Sequence, residues 1–152
     1  MKSREDTLRV HLDTSFILPS LGIDVGKEVP KALKDLADAE AEIYYSSFSI
    51  LESLWVAARV STGATFDGDS FSLGLRSIIE GGRYRKVEED SQVFNEALRL
   101  YTLGHKDVVD NIIYASSTRL KLKLLTLDDE LREFIRERGL EDNLLSPDQI
   151  LR

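Results

Sequence analysis

Short apolar runs alternate with longer amphipathic stretches along the chain, and this alternation constrains the fold more than any other feature. Strands are predicted over residues 9–13, 42–47, 123–128 and 143–147. Apolar residues at helical spacing predict helices over residues 29–42, 46–61, 72–80, 91–104, 106–122 and 129–139. Alternating strands and helices favour a mostly parallel sheet with helices on both faces, so we expect an α/β fold in the form of a three-layer α/β/α sandwich.

Between these segments lie two stretches that predict irregular structure. The segment 63–74, GATFDGDSFSLG, is rich in glycine and aspartate and predicts a loop. Three basic residues, Arg83, Arg85 and Lys86, follow Gly81–Gly82 and predict a solvated turn. The alternative is a mobile basic loop that contacts a phosphate backbone.

Length and charge limit the classes of protein to consider. The chain of 152 residues is expected to form one domain over 1–152, and its net charge of −7 argues against binding nucleic acid by bulk charge. Carboxylates that hold metal ions reverse the local sign of charge, so a metal-dependent nucleic-acid site stays open. The absence of cysteine excludes disulfides and thiolate metal sites. No apolar run approaches the roughly 20 residues of a membrane helix, and the polar start lacks the core of a signal peptide, so we expect a cytoplasmic protein with no membrane contact.

Acidic residues stand at the places where a parallel sheet carries its functional site, outside the carboxyl ends of the strands. Asp13 ends the first strand and Asp128 ends the apolar run LKLLTLD. Glu52 lies in the apolar helix SILESLWVAARV, and Asp110 lies early in DVVDNIIYASS. Each has a simpler interpretation, because Asp13 and Asp128 can cap helices, Asp110 can favour a helix dipole and Glu52 can face solvent.

Converging carboxylates repel one another unless some become protonated or a cation neutralises them. Mg²⁺ prefers oxygen ligands and usually uses one or two carboxylates directly, while further carboxylates orient its water molecules. Such an ion polarises a phosphate oxygen and lowers the pKa of bound water, as phosphodiester hydrolysis requires. Asp107, three residues before Asp110, is expected to be a cap or to support the metal from outside its ligand set.

The chain resembles the PIN-domain family, and in particular the small VapC-like ribonucleases. HLDTSFIL resembles the opening strand of that family with its first acid, Asp13, and SILESLW resembles the segment with the second, Glu52. VVDNIIYASS resembles the helix with the third acid, Asp110, and LLTLDDEL resembles the strand end with the fourth, Asp128. The four motifs occur in the expected order from about Val10 to Pro147.

The resemblance implies a metal-dependent ribonuclease acting on single-stranded RNA with Mg²⁺ or Mn²⁺ at its four acids. It also implies a homodimer and, in many members, a toxin with a small antitoxin protein as partner. The residues expected to support the ligands are Ser15 or Thr14, Asp107, Thr126 and Asp129. Asp129 is the better candidate to cap the last helix, which leaves Asp128 for the metal.

Two other functions stay open at this stage. One is a different metal-dependent phosphohydrolase with a strand-end aspartate as nucleophile, although Ser15 occupies the position where such enzymes carry a second aspartate. The other is a PIN-like module that binds RNA or protein without catalysis, which is expected to lack some of the acids.

The remaining candidate residues are expected to have structural roles. We expect His11 to be packed in the interior and His105 to cap a helix or face solvent. The aromatic residues of the first half are expected in the core or a dimer interface rather than in base stacking: Tyr44, Tyr45, Phe48 and Trp55.

Overall fold

The five-stranded parallel sheet is the centre of the fold. A computed structural model describes residues 6–150. Its strands are β1 (Arg9–Leu12), β2 (Glu42–Tyr45), β3 (Arg85–Lys86), β4 (Lys123–Leu125) and β5 (Leu144–Leu145). The strand order is β3-β2-β1-β4-β5 and each neighbouring pair is parallel, so β1 lies in the middle with β2 and β4 beside it. The predicted parallel α/β fold is confirmed.

Six α-helices connect and cover the strands in the described residues. They are α1 (Glu28–Asp38), α2 (Ser47–Val60), α3 (Gly68–Ile79), α4 (Ser91–Leu103), α5 (Val108–Arg119) and α6 (Asp129–Arg138). Short 3₁₀ turns occur at Thr14–Phe16, Leu18–Leu21 and Pro147–Gln149. The first of these turns directly follows β1, so the chain bends sharply at the edge of the sheet where the acids lie.

The two faces of the sheet carry separate apolar layers. Leu12 and Leu125 face a core formed with α1, α3 and the 3₁₀ turns, whereas Leu124 and Leu144 face a core formed with α4, α5 and α6. Alternating side chains of a strand point to opposite faces, so adjacent leucines in β4 serve both layers. Continuous apolar strands are typical of parallel sheets that are covered on both sides.

The loop predicted over 63–74 is wrong from Gly68 onward. There α3 begins, because the Asp67 carboxylate accepts hydrogen bonds from the amides of Asp69 and Ser70 and caps the helix. Gly74 lies inside α3 because that helix packs tightly on a preceding 3₁₀ turn: a Cβ at this position would lie 2.1 Å from the carbonyl oxygen of Ser20. The glycine that suggests a loop in the sequence instead permits a close helix contact.

The predicted turn at Arg83–Lys86 is also wrong in part, since Arg85 and Lys86 form the edge strand β3 against β2. Helix α1 ends at Asp38, four residues before its predicted end, because Glu40 has a positive φ of 56° and the chain then enters β2. None of the helices in residues 6–150 has the length and apolar character needed to cross a bilayer.

Candidate functional site

A cleft of about 420 Å³ opens at the carboxyl ends of β1 and β4. The four predicted acids all line it, although they come from four separate parts of the chain: Asp13, Glu52, Asp110 and Asp128. Thr14 and Ser15 also line the cleft, and Leu18, Val56 and Leu127 supply apolar wall. The fold therefore brings together residues up to 115 positions apart in the sequence.

Asp13 lies at the bottom of the cleft because β1 and β4 are hydrogen-bonded neighbours. Its amide donates to the carbonyl oxygen of Leu125 at 3.1 Å, which continues the ladder one residue past β1. Its Oδ1 accepts from the amide of Thr14 at 2.8 Å, and its Oδ2 accepts from the Thr126 hydroxyl at 2.7 Å. Burial raises the pKa of Asp13, while these two hydrogen bonds oppose the rise and the charges of nearby aspartates add to it.

Thr126 links two of the acids. Besides donating to Asp13, its hydroxyl oxygen accepts from the amide of Asp128 at 3.0 Å. The Oδ1 of Asp128 accepts from the amide of Leu131 at 3.1 Å, so Asp128 caps α6 and lines the cleft at the same time. The prediction that Asp129 is the better cap is wrong, because Asp129 lies exposed in the first turn of α6.

Glu52 reaches the cleft from the middle of α2. The helix begins after Ser46, whose hydroxyl accepts from the amide of Phe48 at 3.0 Å. The hydroxyl of Thr14 donates a short hydrogen bond to Oε1 of Glu52, which ties α2 to the turn after β1. Burial is the main cause that raises the pKa of Glu52, and the charges of Asp107 and Asp13 raise it further.

Asp110 lies in the first turn of α5, and its pKa is strongly raised. Asp107 caps this helix, as one interpretation of the sequence predicts, because its Oδ1 accepts from the amide of Asp110 at 3.0 Å. Carboxylate oxygens of Glu52, Asp107 and Asp110 lie within 4.8 Å of one another. Burial, followed by the charges of Asp13 and Asp107, raises the pKa of Asp110 to about 9, so this carboxyl is protonated at neutral pH when no cation is bound.

The cleft contains carboxylates without basic partners. Within residues 6–150, none of the five acids forms an ion pair: Asp13, Glu52, Asp107, Asp110 and Asp128. Four of these acids are half-buried and Asp107 is exposed. Oxygen donors that are close together and short of positive charge are the donor set that a hard divalent cation takes. The residues therefore fit a divalent ion, whose positive charge offsets the mutual repulsion of these carboxylates.

His105 is a feature of the site that the sequence interpretation missed. It is only 9% exposed, so the prediction of a cap or a solvent-facing residue is wrong. A ring nitrogen of His105 and carboxylate oxygens of Asp110 and Asp128 lie within 4.8 Å of one another. One feature of the sequence points to His105, namely its position five residues before Asp110. This spacing indicates a place in the site only once the turn between α4 and α5 is known.

His11 is buried in β1, as predicted, and neither of its ring nitrogens has a hydrogen-bond partner in the described residues. Burial lowers its pKa to about 3, so His11 is neutral at physiological pH. His11 pairs in register with Leu124 of β4 and is part of the packing.

Trp55 does not belong to the core. Its side chain is 55% exposed and lines the mouth of the cleft three residues after Glu52 on α2. Arg59, one turn further along the same face, is the basic residue among those that line the cleft. Tyr45, by contrast, is buried as predicted, while Tyr44 and Phe48 are half-buried.

Comparison with known families agrees with this geometry. The family model described as the PIN domain matches residues 10–137, and the chain therefore belongs to the PIN-domain family. PIN domains are typically metal-dependent nucleases, and a cluster of acids of the kind that holds a divalent ion is present in this chain. A search of curated protein sequences found no match.

Several solved structures share the fold. The VapBC2 complex of Rickettsia felis, bound to a DNA fragment from its promoter, matches with a TM-score of 0.61 and 18% identity, covering 91% of this chain and 98% of the other. FitAcB from Neisseria gonorrhoeae matches with a TM-score of 0.55 and 16% identity, covering 91% and 97%. FitAB bound to an IR36 DNA fragment matches with a TM-score of 0.56 and 17% identity, covering 91% and 94%.

Proposed function

We propose that the chain, acting as one domain over 1–152, is a divalent-metal-dependent ribonuclease that hydrolyses phosphodiester bonds of single-stranded RNA. One observation carries the proposal: four acids from separate elements line one cleft, and none has a basic partner in residues 6–150. Membership of the PIN-domain family supports it. Asp13, Glu52, Asp110 and Asp128 would hold one or two Mg²⁺ or Mn²⁺ ions.

When bound, the ion supplies Lewis acidity toward a phosphate oxygen and a water molecule of lowered pKa. The protein residues do the positioning. Thr126 fixes Oδ2 of Asp13, and Thr14 fixes Oε1 of Glu52, so the two carboxylates keep their orientation when the substrate arrives. Asp110 must release its proton to become a ligand, which couples cation binding to pH. Ser15 and Asp107 border the cleft and are placed to orient water.

Two residues that line the cleft, Trp55 and Arg59, favour a single-stranded substrate. Trp55 offers an exposed ring on which an unpaired base can stack, and Arg59 can pair with a phosphate on the same face of α2. In residues 6–150, Arg59 makes no ion pair that would compete with a phosphate. A base that is stacked in a duplex cannot reach the ring without leaving its partner.

Trp55 is the one tryptophan of the chain, so intrinsic fluorescence tests this substrate class directly. The Asp13→Asn variant, used to prevent cleavage, is titrated with short single-stranded RNA in Mg²⁺. We expect quenching by single strands and none by duplex RNA of the same sequence. Filter binding should show that Trp55→Ala, which has no tryptophan fluorescence, binds single strands more weakly by about 5- to 150-fold, since base stacking contributes about 1–3 kcal/mol. Single-stranded RNA that binds without quenching would contradict the stacking of a base on Trp55.

The nuclease activity is tested with purified protein and labelled single-stranded RNA in Mn²⁺, Mg²⁺ or EDTA. We expect cleavage that requires the metal and disappears in Asp13→Asn. Asp38→Asn is the matched control, because Asp38 is an exposed aspartate on α1 that accepts a hydrogen bond from Lys34 and lies outside the cleft. Cleavage that survives Asp13→Asn would contradict the assignment of the site. Metal binding without any cleavage would favour the non-catalytic binding module, and cleavage of phosphomonoesters alone would favour another phosphohydrolase.

We also propose that the chain is the toxin of a toxin–antitoxin pair and forms a homodimer in the cytoplasm. The fold shared with the VapBC2 and FitAB complexes supports a partner protein. An exposed apolar surface on α4 and α5 supports a self-contact: Phe94, Leu98, Tyr101 and Val108. A toxin is expected to arrest bacterial growth when expressed, and Asp13→Asn is expected not to do so.

The homodimer is tested by light scattering on a size-exclusion column. The wild type is expected at twice the chain mass of 17.2 kDa, and Leu98→Asp is expected at the monomer mass. Leu73→Asp is the matched control, since Leu73 is 64% exposed on α3 and Leu98 is 63% exposed on α4. A wild-type monomer would contradict the proposed dimer, and a Leu98→Asp variant that stays dimeric would contradict the proposed surface.

A further inference from the structure

His105 lies beside the acids, and its neighbours fix both the position and the tautomer of its ring. It follows Gly104, which ends α4, and its amide donates to the carbonyl oxygen of Leu100 at 3.1 Å. Its ring packs against Phe134 of α6, with 5.2 Å between the ring centroids. Helix α4 thus fixes the backbone of His105, and α6 fixes its ring. The residue is only 9% exposed.

The tautomer of His105 follows from its partner, Asn111. The side-chain amide of Asn111 donates to two carbonyl oxygens, those of His105 at 2.8 Å and Ala97 at 3.3 Å. Both are acceptors only, so the amide cannot be turned around without placing its oxygen against them. Its Oδ1 therefore faces Nδ1 of His105 at 2.7 Å as an acceptor, and Nδ1 must carry the hydrogen.

This arrangement leaves Nε2 of the neutral ring with a lone pair and no hydrogen bond in residues 6–150. A histidine that binds a metal through one nitrogen usually donates its other N–H to a fixed acceptor, which sets the ring orientation. Asn111 supplies that acceptor here. A ring nitrogen of His105 and oxygens of Asp110 and Asp128 lie within 4.8 Å of one another, close to the separation of about 3–4 Å between donors that share an ion at about 2.1 Å.

We propose that His105 is a metal ligand through Nε2 and forms, with Asp110 and Asp128, a mixed nitrogen–oxygen site for a first-row transition-metal ion. The inference rests on the proposed metal-dependent function and specifies which ion the cleft prefers. Imidazole suits ions such as Fe²⁺, Ni²⁺ and Zn²⁺, whereas Mg²⁺ and Mn²⁺ prefer carboxylate and water oxygens. Asp110 also belongs to the oxygen-only group with Glu52 and Asp107, so it stands between two groups of donors of different chemistry.

The chain contains only two histidines, and His11 is fully buried, which makes histidine-specific NMR decisive. Protein labelled with ¹⁵N at histidine is titrated with diamagnetic Zn²⁺ and, separately, with Mg²⁺. We expect the spectrum of the metal-free protein to show the Nδ1–H tautomer for His105. Zn²⁺ should then shift the His105 Nε2 resonance and leave both His11 resonances in place, while Mg²⁺ should leave Nε2 almost unchanged.

Calorimetry on a matched variant gives a second readout. In His105→Asn the shorter amide can still donate to Asn111 from near the position of Nδ1, but no donor remains at Nε2. We expect the affinity for Zn²⁺ to fall at least tenfold and the affinity for Mg²⁺ to change less than threefold. Zn²⁺ binding that is lost in Asp110→Asn but leaves His105 Nε2 unshifted would overturn this inference and leave the proposed function standing. No binding of any divalent ion would overturn both.

Discussion

Acids on helix α1 and acids in the cleft are treated in opposite ways by the same fold. On α1, Asp35 and Asp38 each accept a hydrogen bond from a lysine four residues earlier, at 2.9 Å in both cases. In the cleft, five carboxylates converge without a basic partner in residues 6–150, and burial raises the pKa values of three of them: Asp13, Glu52 and Asp110. The first arrangement is the ordinary way to place acids on a surface.

The difference shows where the protein gives up stability. Pairing an exposed acid costs little and gains little. Grouping partly buried acids destabilises the folded state unless protons or a cation neutralise them. Perturbed pKa values of this kind cluster at functional sites. The cleft acids are therefore arranged to bind a positively charged ligand, whereas the α1 acids are surface residues that pair with lysines.

The largest expected effect comes from removing one charge from the cleft. Asp110→Asn should reduce RNA cleavage at least 100-fold, because a ligand is lost. It should also make the metal-free protein more stable at pH 8, because the unfolded wild type gains free energy by ionising Asp110 and the unfolded variant does not. Cleavage assays and urea unfolding in EDTA measure the two effects. A variant that loses both activity and stability would show that Asp110 has a structural role. The difference between the cleft acids and the α1 acids would then not hold.

Thr126→Val is expected to have the next largest effect. The variant keeps the shape of the side chain but removes the hydroxyl that donates to Asp13 and accepts from the amide of Asp128. Cleavage should fall about 10- to 100-fold, as is typical when a group that orients metal ligands is lost. Thr118→Val removes a hydroxyl that bonds within α5 and is the matched control. Equal activity of the two variants would show that the Asp13 carboxylate needs no support from Thr126.

The pH dependence of stability sharpens the comparison further. Because the pKa of Asp110 rises from 3.8 in the unfolded chain to about 9 in the folded protein, the folded state holds a proton that the unfolded state loses. The free energy of unfolding should therefore fall as pH rises from about 4 to about 9, by at most about 1.4 kcal/mol per pH unit. The measurement is the difference between wild type and Asp110→Asn in EDTA. A difference that does not vary with pH would contradict the raised pKa.

The smallest effect is expected on α1. Lys34→Gln removes the partner of Asp38, and an exposed i,i+4 pair contributes only a few tenths of a kcal/mol. Urea unfolding should barely detect the change, and cleavage should be unaffected. A loss above 1 kcal/mol would mean that acids on the surface depend on their partners as strongly as the cleft acids are expected to depend on a cation.

Much of this arrangement could be predicted from the sequence because it depends on local patterns. The apolar runs at β1 and β4 end in aspartates, and parallel strands bring those ends to one edge, so the meeting of Asp13 and Asp128 follows from order and spacing. The helix around Glu52 is also predicted by the spacing of its apolar residues, and it begins after the cap Ser46.

The parts that escaped prediction depend on contacts distant in the sequence. The glycine-rich segment became α3 because Asp67 caps it, which is a local effect, and because Gly74 fits against Ser20, which is 54 positions away in the sequence. His105 acquired its setting from Asn111 and Phe134, which lie on two different helices. Whether Asp128 or Asp129 caps α6 depends on which side chain reaches the amide of Leu131, and a one-residue difference is beyond what spacing can decide.

Calorimetric titration of the metal-free protein with Mn²⁺ at pH 7.5 tests the central claim most directly. It is carried out in two buffers of different ionisation enthalpy, with Asp38→Asn and Asp110→Asn alongside. Wild type and Asp38→Asn should bind Mn²⁺ and release close to one proton per site, because Asp110 must ionise. Asp110→Asn should bind at least tenfold more weakly and release almost none. Equal binding by all three proteins, or no binding by any, would contradict a cleft built to hold a divalent cation.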